Sequence, residues 1–222
     1  MALSVDYLYN FTLSLIRKNM SGALGNEDFE RFWNDEQYAY MSALLGRFQA
    51  ENNSKTGANT GLIQDETIMQ KISPFIKKVT IIGGVTNMPS DLLYRLSLMV
   101  GNYNCYKTNF NQRSSVINSV IDPPSVTANN YYFFEYSNQY EILPSSVASA
   151  QLDYVFSPEP IKWGFTWDDD NRQVYNVGLS KQPLWDTISC LEITKRGLKN
   201  IGVSYKDQDF ENFGQNAITT GE

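Results

Sequence analysis

Apolar positions along the chain switch from helical spacing to alternation and back again. Between residues 3 and 19, Leu8, Phe11 and Leu15 recur at i, i+3 and i+7 with Tyr7 alongside, behind Ser4 as a candidate N-cap. Arg17 and Lys18 close that helix, where cations suit its dipole. Ser21–Gly22 to Gly25–Asn26 breaks it, and Asn26 then caps a second helix with Glu27, Asp28 and Glu30 in its first turn. Phe29, Phe32, Trp33, Tyr40, Leu44 and Phe48 mark the apolar side of this helix. Residues 51–61, ENNSKTGANTG, hold no apolar side chain except Ala58 and read as a flexible polar linker. A short helix over 64–73 is stopped by Pro74.

Beyond Pro74 the period falls to two. Residues 75–82 read as a strand ended by Gly83–Gly84. Leu92, Tyr94, Leu96, Leu98 and Val100 alternate with Leu93, Arg95, Ser97 and Met99, favouring a strand over the helix that Leu92, Leu93, Leu96, Met99 and Val100 also allow. Residues 103–110 form its expected antiparallel partner, and 112–120 a short helix or loop before Pro123–Pro124. Residues 131–136 and 139–143 flank Ser137–Asn138, a hairpin signal, and 147–156 adds a strand. Residues 161–167 and 172–179 form a second hairpin around Asp168–Asn171. Helical spacing returns after Pro183, with Leu184, Ile188, Leu191 and Leu198 on one face and Gly202 just past the end. A last short helix is expected over 207–213, before a polar tail. The expected fold is α+β: an N-terminal helical pair (1–50), a linker (51–61), and an α+β domain (62–222) with a mainly antiparallel sheet, hairpins and a C-terminal helix.

Composition mainly excludes. A chain of 222 residues can bury a substantial core, about 70% of the surface its unfolded form exposes. It contains no histidine, which removes Ser-His-Asp and Cys-His catalysis and every His-ligated metal site. Eighteen Lys plus Arg against 24 Asp plus Glu leave a net charge of −6, the opposite of a nucleic-acid binder's basic surplus. Neither sequence-specific nucleic-acid binding nor a membrane partner is expected. No run reaches the ~20 apolar residues of a membrane span, and the order of charges near the N-terminus is not that of a secretory signal. A cytosol-like site of synthesis follows as an expectation, and the N-x-[ST] matches at Asn10, Asn19 and Asn52 then read as chance. Cys105 and Cys190 read as small apolar thiols rather than a disulfide.

The candidate chemistry is thin. Asp168–Asp169–Asp170–Asn171 fails as a calcium loop, because Arg172 and Gln173 stand where an oxygen ligand and a glycine are needed. Gly83–Gly84 lacks the rest of a phosphate loop. Glu135 and Glu141 are the carboxylates an acid–base hydrolase would use, but hairpins bring such pairs together routinely. Cys105 has no neighbouring base to activate it. Trp163, Trp167 and Trp185 could line a sugar groove, although Trp in a β domain more often fills a core or an interface. No catalytic residue, cofactor or metal is expected.

Several segments in order resemble structural proteins of tailed phages, especially the crAss-like phages. They are Gly22–Ala23–Leu24–Gly25–Asn26 before an aromatic helix, and Met88–Pro89–Ser90–Asp91–Leu92. Asp122–Pro123–Pro124–Ser125 with Tyr140–Glu141–Ile142–Leu143–Pro144 follow, then Leu152–Asp153–Tyr154 with Ser157–Pro158–Glu159–Pro160 and Trp163–Gly164. Pro183–Leu184–Trp185, Glu192–Ile193 and Ile201–Gly202–Val203–Ser204 with Asp207 close the series. The resemblance implies a virion component made in the bacterial host cytoplasm, a ring of the head-to-tail connector or tail barrel below the portal. Such rings are commonly twelve-fold homo-oligomers, and their partners are neighbouring ring, portal or tail proteins. The polar 51–61 stretch departs from the family pattern. Phe29, Phe32, Trp33, Tyr40, Trp163 and Trp185 are the expected interface residues. An acidic conduit wall would release passing DNA. The rival reading is a carbohydrate- or receptor-binding module of a tail.

Overall fold

The computed structural model of the protein describes residues 3–19, 24–53, 60–82 and 84–204. Its helices are α1 (Val5–Asn19), α2 (Asn26–Asn53), α3 (Thr60–Ile72), a single turn and a half α4 (Arg113–Ile117), and α5 (Thr187–Ser204). Its strands are β1 (Ile76–Ile82), β2 (Val85–Asn87), β3 (Leu92–Val100), β4 (Tyr103–Asn104), β5 (Tyr106–Lys107), β6 (Tyr132–Tyr136), β7 (Gln139–Leu143), β8 (Ser149–Phe156), β9 (Phe165–Trp167) and β10 (Gln173–Tyr175). The class is α+β, with two N-terminal helices, mainly antiparallel sheets, and the C-terminal helix α5 packed against α2. The chain divides into two compact units, residues 1–74 with 158–222 and residues 75–157.

In the first unit α1 starts where the sequence supplies a cap, whereas α2 begins at the expected cap Asn26 itself, with the Gly25 carbonyl taking its first bond from Phe29 N–H at 3.0 Å. The Ser4 hydroxyl accepts from the Tyr7 N–H at 3.1 Å, and the Ser4 carbonyl takes the first intrahelical bond from Leu8 N–H. The polar run at 51–53 continues α2, and α3 begins at Thr60, so the expected linker is shorter at both ends. Its centre, 54–59, lies outside the described residues, as do the expected helix at 207–213 and the tail. Phe29, Trp33, Tyr40, Met41 and Leu44 of α2 are buried along one side, facing Cys190, Ile193 and Leu198 of α5 in a shared core with α1. At Gly197 a Cβ would stand 2.4 Å from the Phe32 ring, so glycine lets the two helices approach closely.

The face of α5 differs from the expected one. Ile188 is 67% exposed and Leu184, just before the helix, is also exposed, while Ser189, Cys190, Ile193, Thr194 and Leu198 are buried. Thr194 is tolerated inside because its hydroxyl donates to the Cys190 carbonyl at 2.8 Å and accepts from Trp33 Nε1 at 3.2 Å. The helix also runs through Gly202 to Ser204 rather than ending before it.

The second unit holds two four-stranded sheets, ordered β1-β8-β3-β4 and β2-β7-β6-β5. Leu92–Val100 is a strand throughout, β3, with bulges against β8. Ser137 takes φ of 49° in the turn between β6 and β7, where Phe134 pairs with Glu141 and Glu135 with Tyr140. The expected partner strand at 103–110 splits. Tyr103–Asn104 pairs antiparallel with β3, whereas Tyr106–Lys107 joins the other sheet, parallel to β6. Cys105 is the crossing point: its N–H donates to the Leu98 carbonyl at 2.8 Å, and the next N–H, of Tyr106, to Tyr131 at 2.8 Å.

Candidate interaction surfaces

The residues expected at an interface are part of the interior of the first unit. Phe29, Trp33, Tyr40, Trp163 and Trp185 are buried and Phe32 is half-buried. Three indoles spend their N–H groups inside this unit: Trp33 on Thr194, Trp185 on Gln37 Oε1 at 3.3 Å, and Trp163 on Asp6 Oδ1 at 3.0 Å. Phe29 meets Tyr9 and Phe32 edge-on, and Tyr40 meets Trp185 in the same way. These six aromatics therefore hold helices together and leave the surface to others. The physical reason is volume: rings of this size are what fills the space between three helices and an extended segment.

That extended segment is held by polar residues that hydropathy spacing alone did not single out. Glu30, Asn34 and Gln37 lie at i, i+4 and i+7 on α2. Glu30 accepts from Trp163 N–H at 2.8 Å, Asn34 accepts from Ile161 N–H at 2.8 Å and donates to its carbonyl at 3.2 Å, and Gln37 donates to the Glu159 carbonyl at 3.1 Å. One edge of this segment pairs at Lys162 with Lys181, at 3.2 and 2.9 Å, and its other edge finds its backbone hydrogen bonds on a helix. The signal available in the sequence was the repeat of hydrogen-bonding side chains at helical spacing, opposite a segment that opens with Pro158 and Pro160.

Most of the large apolar side chains that do reach solvent lie in two stretches, with Tyr7, Tyr38, Ile82, Val85 and Leu93 outside them. On the first unit, the β9–β10 hairpin and the segment after it expose Trp167 (62%), Val174, Val177, Leu179 and, at the start of α5, Ile188. On the second unit, the crossing between sheets and the loop after α4 expose Tyr103, Tyr106, Phe110, Ile117, Val120, Ile121 and Val126. Val120 and Ile121 are 95% and 97% exposed. An open cleft of about 400 Å³ lies beside this stretch, lined by Phe110, Arg113, Tyr136 and Glu141.

The candidate catalytic groups are engaged elsewhere. Glu135 and Glu141 sit on opposite faces of the β6–β7 hairpin, because residues alternate along each strand and the two are offset by one register step. Burial alone would raise Glu135, but Lys107 at 2.6 Å and Arg95 at 3.1 Å together hold it below the usual carboxylate range. Glu141 grips Arg113 with both oxygens, at 2.5 and 3.2 Å. Asp168 Oδ1 accepts from the N–H groups of Asp170 and Arg172, closing the hairpin turn on itself. Burial pushes the Cys105 thiol up to about 11; at Cys190 burial first, and Asp186 second, push it to about 12, so neither is a thiolate near neutrality. Among the described residues no group of three or more acidic or cysteine side chains could hold a metal ion, and no helix is long and apolar enough to cross a membrane. No protein-family model matches the chain, and no curated protein matches it.

Proposed function

We propose that the chain is a structural subunit of a tailed-phage virion, a ring-forming component of the head-to-tail connector or tail barrel below the portal that contributes to the DNA conduit and has no catalytic role. The observation that supports this reading most is the pair of separate apolar stretches, at 103–126 on one unit and 165–188 on the other. A closed ring needs two different patches on each subunit, each meeting the other on the next copy or on an adjoining ring. Large aromatic and aliphatic side chains in solvent are the usual raw material of such contacts. The order of motifs resembling the crAss-like phage proteins points the same way. The net charge of −6 suits a wall past which DNA must slide without being held.

The test is the composition of purified particles. Virions banded on a density gradient are analysed by quantitative mass spectrometry. The chain is expected in fixed proportion to the portal protein. Its absence from particles in which portal and tail proteins are plentiful would overturn the reading.

A further inference from the structure

The outer strand of a sheet leaves half of its backbone donors and acceptors without a ladder partner. In the second unit most outer strands are short: β2 has three residues, and β4 and β5 have two each. β1 is the exception. It runs for seven residues, Ile76–Ile82, along the edge of the β1-β8-β3-β4 sheet, and pairs with β8 at every position without a bulge. Alternate residues of an antiparallel strand turn their N–H and C=O groups to opposite sides. Half of the β1 backbone therefore points away from β8, and among the described residues no hydrogen bond meets it.

The side chains do not guard this edge. Lysines commonly keep an outer strand from pairing with another chain. Here Lys77 and Lys78 are spent inside the unit, on Asp91 at 2.6 Å and on Asp153 at 3.7 Å. Ile82, at the end of the strand, is 79% exposed. Val79 and Ile81 share a face with buried Leu152 and Ala150, while Lys78, Thr80 and Ile82 share the polar face with Asp153, Gln151 and Ser149.

We infer that β1 is a self-pairing edge: a second copy of the chain adds its own β1 antiparallel to this one, centred on Val79, and the two sheets continue as one. The open ladder selects an extended strand, and the side chains select this strand in this register. Centred on Val79, the pairing sets Ile82 against Ile76, Ile81 against Lys77 and Thr80 against Lys78 of the other copy. Partners differ by an even number of residues, so the buried face continues into the buried face and the polar face into the polar face. Exposed Ile82 gains an apolar cross-strand neighbour at each end of the pair, and no lysine faces a lysine. Two-fold pairing stops at two copies. The inference thus goes beyond the ring reading, uses neither apolar stretch, and concerns the form of the free chain.

The experiment joins sedimentation equilibrium of the full chain to hydrogen exchange read by mass spectrometry, both over a wide range of concentration. The wild type is expected to pair at high concentration, with exchange slowing across 76–82 as it does. T80K sets a lysine against Lys78 of the other copy, twice in each pair, and is expected to weaken pairing about 10-fold. T80E places carboxylates at the same points and is expected to leave pairing as strong or stronger. Thr80 is exposed, so circular dichroism and Tm are expected to hold in both variants. I82K, which removes the contact with Ile76, gives the same direction as T80K and serves if that variant misfolds.

A chain that stays monomeric at every concentration overturns the inference and leaves the edge to a strand of another protein. Self-association that does not slow exchange over 76–82 also overturns it, and so do equal losses in T80K and T80E. Failure here is separable from failure of the ring reading. A β1 pair formed by a chain missing from virions sinks the ring alone. A chain found in fixed proportion to the portal protein, whose β1 exchanges equally fast at all concentrations, sinks only this pairing.

Discussion

Two glycines test how tightly the first unit is built at single positions. A Cβ at Gly164 would lie 2.4 Å from the carbonyl carbon of Leu179 and 2.5 Å from its oxygen, which are backbone atoms. A Cβ at Gly197 would lie 2.4 Å from the Phe32 ring, a side chain that is only half-buried and can rotate away. Alanine at a helical glycine also gains up to about 1 kcal/mol of propensity. G164A is therefore expected to destabilise by about 3 kcal/mol and G197A by no more than about 1 kcal/mol, read from urea midpoints at constant slope. Equal losses would show that the α2–α5 contact is as unyielding as a backbone. Neither glycine announces itself in the sequence, because close approach is a tertiary fact that leaves no periodic trace. The same blindness explains α5. Its buried face contains Ser189, Thr194 and Gly197, which count as polar or neutral, while exposed Leu184 and Ile188 look like core. What makes Thr194 interior is the Trp33 indole opposite it, 161 positions away.

At the scale of elements, local signals served well, the two hairpin pairings included, and the pairing of 103–110 did not. Ser4 marks the start of α1, Ser137–Asn138 marks the turn between β6 and β7, and strict alternation marks β3; each depends on neighbours in sequence. The split of 103–110 between two sheets depends on which strands happen to lie alongside, and alternation cannot choose between them. The ion pairs that tie the second unit's strands together make a pH test possible. Lys77, donating to Asp91 at 2.6 Å, holds that carboxyl below its ordinary value; burial opposes this and Tyr154 assists it. Glu135 is held low by Lys107 and Arg95 against its burial. A carboxyl depressed in the folded state adds stability that is complete above its unfolded pKa of about 4 and is lost as pH falls through the folded value. Unfolding by urea is therefore expected to be easier at pH 3 than at pH 6. The double variant D91N/E135Q should start less stable at pH 6 and lose less on acidification. An acid loss as steep as in the wild type would assign the effect to other carboxyls.

For the whole molecule, the sequence was informative about class and about what charge excludes, but not about how charge is distributed. A net charge of −6 can be read by counting; that it falls wholly on residues 1–74 and 158–222 emerges only once the compact units are known. The aromatic content likewise suggested contacts, yet the most aromatic helix face turned inward, and Val120, Ile121 and Val126, among the exposed apolar side chains, lie on a loop that no periodicity singles out. Charge distribution leads to a prediction about DNA. Duplex binding requires cations free to displace counterions from phosphates. In the neutral unit all five cations are committed to carboxylates, and in the other, where acidic residues outnumber basic ones, Arg31, Lys71, Arg172 and Lys181 also lie within ion-pair distance of one. Non-specific binders reach dissociation constants of about 10⁻⁴–10⁻⁶ M at physiological salt. Fluorescence anisotropy of a labelled duplex is expected to show no binding in that range, and none on lowering salt to about 50 mM. Binding that strengthens steeply as salt falls would reveal a cationic stripe strong enough to outweigh the negative field, and the conduit wall would then grip DNA rather than let it pass.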